Sequence, residues 1–471
     1  MKPHTRTVWT FAITSIALFM VVLDNLVVST AIPVIRVDLG ASLQQLEWTV
    51  NAYTLTFAVF LLTGAALGDR FGRKRLFMLG IAVFTAASAA AALAPSAEWL
   101  IAARAVQGFG SAIVMPLTLT ILSAAVPAER RGVALGAWSG IAGLAVAMGP
   151  LVGGAVVSGI SWQWIFWLNV PIGLVVLPLA TRLAESYGLD KTLDLPGLGL
   201  VSAGLFGIVY GLVNGNSDGW SSPAIVGTLA AGAALVVAFV AWELRARAPM
   251  LPMRFFRDRA FAAANGASLL MYFGMFGSIF LLTQFFQTSQ GYSPFQAGLR
   301  ILPWTAMPMV VAPIAGALSD RIGGRPFMAT GLALQAAGLA WIAAVTEPSA
   351  GYASFVVPFV LSGVGMGMFF APVANVVLSA VRPQEEGKAS GTNNAIREVG
   401  GVFGVAVLAS IFAHYGGYGT AQTFHDGLVP ALWVGAAVVA VGAAIALLVP
   451  RKRRPAEAVV LEPEALAAEA A

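Results

Sequence analysis

Long apolar runs alternate with short polar connectors along the whole chain, and most of the runs are about 20 residues long or longer. A helix of that length crosses the hydrocarbon core of a bilayer, so each run predicts a transmembrane helix. Fourteen runs predict an all-α integral membrane protein with fourteen transmembrane helices. The predicted spans are residues 8–33, 46–68, 76–95, 97–125, 132–158, 163–183, 194–214, 223–243, 261–287, 296–318, 326–346, 352–380, 397–415 and 428–449.

The connectors between the spans fall into two classes by charge. Connectors on one side hold most of the 27 Lys and Arg residues, whereas the opposite side holds only Arg36 and Arg300. Basic loops remain in the cytoplasm, so the basic side is predicted to be cytoplasmic, with both termini on it. This predicts a multi-pass protein of the cytoplasmic (inner) cell membrane. The first run carries Asp24 and is too long for a signal peptide, so we interpret it as a retained helix.

Composition narrows the function classes further. The chain has 471 residues, of which 58% are hydrophobic and 10% are charged, against about a quarter charged in soluble domains. This excludes a soluble enzyme, a secreted disulfide scaffold and a disordered protein. Cysteine is absent, and the sequence has neither a metal-ligand cluster nor a nucleotide-binding Gly-x-x-x-x-Gly-Lys loop. We therefore predict no cofactor, no metal and no enzymatic reaction, and we assign the net charge of +5 to membrane orientation rather than nucleic acid.

One connector sequence occurs twice. Ala65–Lys74 reads AALGDRFGRK, and Gly316–Arg325 reads GALSDRIGGR, each after the second span of a six-span block. The repeat predicts two like-oriented six-helix bundles, residues 8–183 and 261–449, separated by an extra helix pair at 194–243. Parallel repeats of this kind indicate a substrate site between the halves and access that alternates as they rock.

The tail at residues 450–471 follows the last span. It opens with a basic cluster and continues in an Ala/Glu-rich stretch. We predict a cytoplasmic and disordered segment.

The repeated connector resembles the Gly-x-Leu-Ala-Asp-Arg-x-Gly-Arg-Arg motif of the major facilitator superfamily. Leu23–Pro33 resembles the first-helix motif of its fourteen-helix drug:proton antiporter branch. The other matching positions are Arg104, Gln107, Gly108 and Gly110 in the fourth span, Gly149, Pro150, Gly153 and Gly154 in the antiporter motif of the fifth, and Trp164–Phe166 with Asn169–Gly173 in the sixth. The chain departs from the pattern at Leu26, Ser29, Ala65 and Gln163.

The resemblance covers essentially the whole chain, and it implies a secondary transporter. Such a protein exports small amphipathic, drug-like and often cationic compounds in exchange for protons by alternating access, with the proton gradient as its energy source. The expected partners are a small-molecule substrate, protons and the lipid bilayer, with no nucleic acid, no obligate protein partner and a monomeric state. Alternatives are a proton-coupled or facilitative importer, an exporter of a lipid or cell-envelope precursor, and a receptor or scaffold that does not transport.

Asp24 and Arg104 are the charged residues placed well inside the predicted spans. An ionised group in the bilayer costs at least about 2.5–3.5 kcal/mol, so each needs a partner or a wet cavity. Both lie roughly 10–13 Å below the predicted outer surface at 1.5 Å per residue. They can therefore meet if the first and fourth helices are neighbours, as the resemblance implies. Our hypothesis is that Asp24 takes up and releases the coupling proton beside the fixed charge of Arg104; the alternative is a static pair that ties two helices together.

A substrate cavity needs polar side chains among apolar walls. Aromatic side chains bind cations by cation–π attraction, and Met repacks around different shapes. Each such residue taken alone is more often a hydrogen-bonding contact between helices or an anchor at the membrane interface than a ligand contact. The predicted cavity residues are Asn25, Tyr53, Gln107, Tyr272, Gln284, Trp304 and Asn375.

Two further motifs are predicted to act in conformational change. Glycines of the antiporter motif let helices approach closely, and its proline permits bending; the resemblance implies that Gly149, Pro150, Gly153 and Gly154 seal or flex the path. Charged residues of the repeated connector can pair or cap helices and hold the cytoplasmic mouth shut, or they only set topology. The predicted gating residues are Asp69, Arg70, Gly72, Arg73, Asp320, Arg321 and Arg325.

Overall fold

The computed structural model describes residues 3–126, 131–187, 193–382 and 385–450, and these residues form helices and no β-strand. Among the described residues, twelve helices are long and apolar enough to cross a membrane, and two shorter apolar helices are Met148–Gly159 and Trp164–Ala180. The predicted all-α membrane fold with fourteen spans is confirmed. The tail at 451–471 lies outside the described residues.

The sixth span consists of two helices that meet at Leu168, so the chain has fifteen labelled helices in its described part. They are α1 (Pro3–Leu39), α2 (Leu43–Phe71), α3 (Arg73–Ala92), α4 (Ala97–Ala125), α5 (Arg131–Gly159), α6 (Trp164–Trp167), α7 (Asn169–Ala180), α8 (Leu195–Asp218), α9 (Pro223–Glu243), α10 (Arg259–Gln284), α11 (Pro294–Ile322), α12 (Gly324–Val345), α13 (Ala353–Ser379), α14 (Glu386–Tyr415) and α15 (Ala421–Ala446).

Several helix ends differ from the prediction, and two of them involve functional motifs or charged residues. The first span was expected to end at Pro33, but α1 continues through that proline to Leu39. The thirteenth span was expected to begin at Arg397, but α14 begins at Glu386. Hydropathy marks the apolar part of a helix, whereas backbone hydrogen bonds continue the helix through polar residues at its ends.

The two six-helix bundles repeat the same helix pairing. In the first bundle α2 packs on α4, α1 on α5 and α3 on α7; in the second α11 packs on α13, α10 on α14 and α12 on α15. Between the bundles α5 packs on α11 and α2 packs on α14. We call these two contacts the seam.

The extra helices α8 and α9 pack mainly on each other. α8 also packs on α2 and α14, which are the two helices of one seam contact. Leu55 of α2, Val402 of α14 and Leu205 and Val209 of α8 belong to one buried apolar cluster. The extra pair therefore covers the seam from one side.

The two bundles are in contact at the predicted outer side. A π-helical turn, Phe285–Ser289, extends α10 and places Gln287 so that its Nε2 donates to the Thr30 carbonyl at 2.9 Å. The Phe295 N–H donates to Ser158 Oγ at 3.0 Å. Polar contacts between the bundles thus lie at the outer ends of α1, α5, α10 and α11.

A cation–π contact adds to this outer closure. The Arg36 guanidinium lies 3.8 Å from the ring centroid of Tyr418, which is in the loop between α14 and α15. Burial raises the pKa of the Tyr418 phenol, and the charge of Arg36 opposes that shift. The phenol therefore keeps its proton, and the neutral ring faces the cation.

The α5–α11 contact depends on a glycine. A Cβ added at Gly298 of α11 would overlap the carbonyl oxygen of Pro150 on α5. We predict that Gly298→Val opens the outer side of the seam, because overpacking costs about 1–3 kcal/mol. Membrane-impermeant maleimide should then label Thr30→Cys about 5–150 times faster in this otherwise cysteine-free chain.

Gly227→Val is the matched control, since a Cβ at Gly227 on α9 meets nothing within 4 Å. If the valine prevents insertion, Gly298→Ala repeats the test with a smaller group. Unchanged labelling of Thr30→Cys in an inserted Gly298 variant would contradict the predicted close approach.

Candidate functional site

A buried ion pair joins α1 to α4. The Arg104 guanidinium donates through Nη1 to Asp24 Oδ2 at 2.6 Å, and each residue is 1% exposed. The two charges that the sequence places at similar depth are therefore brought together. Neither charge faces lipid, so each is compensated by the other and by the polar groups around it.

Two amides complete the carboxylate's hydrogen bonds. Gln107 Nε2 donates to Asp24 Oδ1 at 2.9 Å, and Asn169 Nδ2 donates to the same oxygen at 2.7 Å. Both amides also contact Ser88 Oγ, which in turn donates to the Phe166 carbonyl at 2.9 Å. We call Asp24, Arg104, Gln107, Asn169 and Ser88 the Asp24 cluster.

The guanidinium has partners of its own. Arg104 donates to the Thr49 carbonyl through Nε at 3.3 Å and to Gln107 Oε1 through Nη1 at 2.8 Å. Its Cζ lies 4.1 Å from the ring centroid of Tyr53, whose hydroxyl bonds to Ser111 Oγ at 2.8 Å. The arginine is therefore fixed by α2 and α4 in addition to the carboxylate.

Four helices supply the Asp24 cluster, and one of them depends on a local break. Arg104 and Gln107 lie three residues apart on one face of α4, which directs both towards α1. The helix of the sixth span is interrupted at Leu168, between α6 and α7, so Asn169 is the first residue of α7. This break places an amide at membrane depth, opposite Ser88 of α3.

Antiporter-motif residues pack against α1 and α11. A Cβ at Gly149 would lie 2.6 Å from the Leu26 Cβ, and one at Gly153 would overlap Thr30 Oγ1. A Cβ at Gly154 would overlap the Pro294 carbonyl of α11. The motif thus lets α5 approach both the helix that carries Asp24 and the opposite bundle.

The first copy of the connector motif is held within its own bundle. Asp69 Oδ1 accepts from Arg73 Nε at 2.7 Å, and Glu185 accepts from the Lys74 N–H at 2.9 Å. Gly72 has φ +108°, and a Cβ there would lie 2.9 Å from the Glu185 carboxyl. Glu185 was not among the predicted gating residues, and it is the partner that the loop after α7 provides.

The other gating residues are less enclosed. Arg70 and Arg321 are exposed and Arg325 is half-buried. The side chain of Asp320 lies outside the described residues. Whether these residues hold the cytoplasmic mouth shut stays a prediction.

The predicted cavity residues lie in several separate places. Gln107 belongs to the Asp24 cluster, Tyr53 contacts it through Arg104, and Asn25 is the half-buried neighbour of Asp24. Tyr272 lies beneath Arg397, with 4.4 Å between the ring centroid and Cζ. Substrate contact by these residues stays a prediction.

The remaining three cavity candidates lie in the second bundle. Gln284 is fully buried and accepts a hydrogen bond from the Tyr418 hydroxyl. Trp304 is fully buried and stacks on Phe359, with 6.0 Å between centroids. Asn375 is exposed on α13.

Several polar residues within the helices were not predicted from the sequence. Ser88 gave no signal, because a lone serine in an apolar run is common in transmembrane helices. Glu47 is 2% exposed within α2, and Arg397 and Glu398 lie within α14, which begins before them at Glu386. The expectation that Asp24 and Arg104 alone are charged inside the spans is therefore wrong.

Comparisons with known proteins agree with this architecture. The family model described as Major Facilitator Superfamily matches residues 14–302 and 264–469. The tetracenomycin C resistance and export protein of Streptomyces glaucescens is 34% identical, over 85% of this chain and 74% of that protein. The methylenomycin A resistance protein of Streptomyces coelicolor is 34% identical, over 92% of this chain and 91% of that protein.

A solved structure shares the fold at low sequence identity. It is a bacterial homolog of the human lysosomal transporter Spinster, with a TM-score of 0.67 and 17% identity. The alignment covers 95% of this chain and 97% of that one.

Substitution of Asn169 tests whether its hydrogen bond to Asp24 stabilises the protein. Asn169→Ala removes one donor to a buried carboxylate, which we expect to cost about 1–3 kcal/mol of stability. The measurement is the thermal unfolding midpoint in detergent. Asn214→Ala is the control, because the side chain of the half-buried Asn214 bonds to the Tyr210 carbonyl of its own helix and to no other helix among the described residues. Equal midpoints for the two variants would argue against a structural role of this donor.

Proposed function

Because this chain belongs to the Major Facilitator Superfamily, we propose that it exports small amphipathic compounds across the cytoplasmic membrane in exchange for protons, by alternating access. Two relatives that it matches over most of their length are named for resistance to, or export of, antibiotics. Their names support a drug-like substrate and outward transport. The basic loops support an orientation with both termini in the cytoplasm.

The observation that carries the proposal is the buried, ion-paired carboxylate of Asp24. An ionisable residue inside a membrane is expensive to keep, so it is a functional candidate by default. Asp24 accepts hydrogen bonds from one guanidinium and two amides, which is the arrangement that an ionised carboxylate needs. Proton uptake removes its negative charge and weakens the attraction to Arg104, which cannot lose its own charge.

Proton exchange at Asp24 requires movement, because the carboxylate is closed off when the outer side is shut. Thr30 lies six residues further along α1, about 9 Å away at 1.5 Å per residue. Its carbonyl accepts from Gln287 of the opposite bundle, and Gly153 of the antiporter motif packs on it. We infer that opening the outer seam shifts α1 and exposes Asp24 to the outer side, which links proton uptake there to the change in access.

The moving bodies that we assign are residues 8–183 and 261–449, with 194–243 as an additional helix pair. Substrate binds between them, near the aromatic residues Tyr53 and Tyr272, where a flat ring accepts an amphipathic cation. The proton gradient supplies the energy, and the transporter acts as a monomer.

Asp24→Asn tests the coupling role. The amide keeps the shape and loses the proton site, so substrate-induced proton release from acidified inverted vesicles should disappear. Exchange of a lipophilic fluorescent cation between the two sides without a gradient should persist, since it needs only alternating access. The measurements are a pH-sensitive dye signal and cation efflux from the same vesicles.

The variant leaves Arg104 buried without its counter-charge, which costs about 3–5 kcal/mol. Asp24→Asn with Arg104→Gln removes both charges and separates folding from coupling, because the double variant should regain stability but not proton release. Gradient-driven cation accumulation by either variant at the native rate would refute Asp24 as the proton site. Loss of both exchange and stability in the double variant would show that the pair is purely structural.

A further inference from the structure

Two carboxyl side chains meet where the extra helix pair begins and ends. Asp194 precedes α8, and its Oδ1 accepts from the Gly197 N–H and from Trp242 Nε1, each at 2.8 Å. Glu243 is the last residue of α9, and its Oε2 accepts from the Leu251 N–H at 3.0 Å. One oxygen of each carboxyl group is therefore satisfied by an N–H donor.

The second oxygens face one another. Asp194 Oδ2 and Glu243 Oε1 are both buried, and neither has a hydrogen-bond donor among the described residues. A Cβ built on Gly197 would lie 2.6 Å from Asp194 Oδ2 and 2.9 Å from Glu243 Oε1, so both oxygens adjoin the same point. The two side chains are within hydrogen-bonding reach of each other, and Glu243 is 3% exposed.

Two ionised carboxylates at this separation repel strongly when water is excluded, whereas one shared proton supplies the donor that both oxygens lack. In the described part of the chain Asp194 is the charged side chain that acts on Glu243. Arg245 and Arg247, on the segment after α9, are exposed and form no ion pair with it. On α2, which packs on α8, Asp69 is paired with Arg73.

α14, which also packs on α8, carries Glu386 and Lys388 near its start and Arg397 and Glu398 deeper in the helix. None of them forms an ion pair with Glu243 in the described residues. Thus no described cation neutralises the two facing oxygens.

The shared proton would control a segment that connects the bundles. Residues 244–258, which we call the strap, lead from α9 to α10. Glu243 holds the strap at the Leu251 N–H, and the next contact is Thr63 Oγ1 of α2 donating to Met250 Sδ at 3.6 Å. The strap therefore passes from the extra helices to one helix of the seam.

We propose that Asp194 and Glu243 share one proton and form a clasp that docks the strap against α2. The clasp holds when the proton is present and opens as the pH on the basic side rises, since two negative charges then face each other. This site is separate from the Asp24 cluster, and it gives the extra helix pair a pH-sensing role that does not rest on the proposed export.

Strap docking can be measured directly, because the full chain contains no cysteine. Thr63→Cys with Met250→Cys places two thiols where the strap meets α2. Disulfide formation is followed from about pH 6 to about pH 9 in the native background and with Glu243→Gln. In the Gln variant the amide N–H donates to Asp194 Oδ2 without a titrating proton, so docking should lose its pH dependence.

The informative quantity is the ratio of crosslinking between the two backgrounds, since the pH effect on thiol reactivity cancels in it. We expect the native background to fall several-fold below Glu243→Gln at the high end of the range and to match it at the low end. Glu243→Ala, which lacks both the strap bond and the clasp, should crosslink poorly at every pH.

A constant ratio across the range would overturn the proposal. A second result would also overturn it: Glu243→Gln crosslinks poorly at low pH, and crosslinking of the native background depends on added sodium. That result would mean that a bound cation, not a proton, lies between Asp194 Oδ2 and Glu243 Oε1. Transport is not part of the readout, so a failure here leaves the export proposal standing, and the reverse also holds.

Discussion

The charge of Asp24 has to be neutralised inside a medium that solvates ions poorly, and much of the first bundle is arranged to do this. One guanidinium and two amides meet the carboxylate, and a serine ties the amides to the backbone of α6. These side chains come from α1, α3, α4 and α7, so their hydrogen bonds fix how four helices are positioned. A buried pair adds little net stability compared with apolar packing, but losing one partner is costly, so the four helices move together around it.

The same construction links the ion pair to the contact between the bundles. α1 carries Asp24 at one level and Thr30 at another, and Thr30 contacts both Gln287 and the glycine face of α5. A rigid helix transmits displacement between these levels, so the state of the outer seam and the surroundings of the carboxylate are not independent. In the second bundle, a contact between α10 and α14 is made by neutral groups, since Asn393 Nδ2 donates to Asn265 Oδ1 and to Ser268 Oγ.

The sequence was sufficient to predict the spans and the similar depth of Asp24 and Arg104, because hydropathy and depth along a helix are local properties. That the two residues meet also needed the family resemblance, which implied that the first and fourth helices are neighbours. The sequence did not predict Ser88 or the position of Asn169, since both depend on which helices become neighbours and on a break at Leu168. The contacts of Gln107 to Asp24 and Ser88 were also not predicted, since the residue type alone does not reveal its partners. Arg397 and Glu398 were placed at the start of the thirteenth span because the polar residues before them were interpreted as a connector, although α14 already begins at Glu386.

The pairing of the seam helices has a geometric consequence. The second helix of each bundle faces the fifth helix of the other, so exchanging the bundles interchanges the two contacts, as in an isologous dimer. Such an interface has a single pseudo-two-fold axis, and both contacts must pivot about it at once. A ligand that holds one of the two contacts, α5–α11 or α2–α14, in a fixed geometry therefore also prevents the other contact from moving, without binding to it.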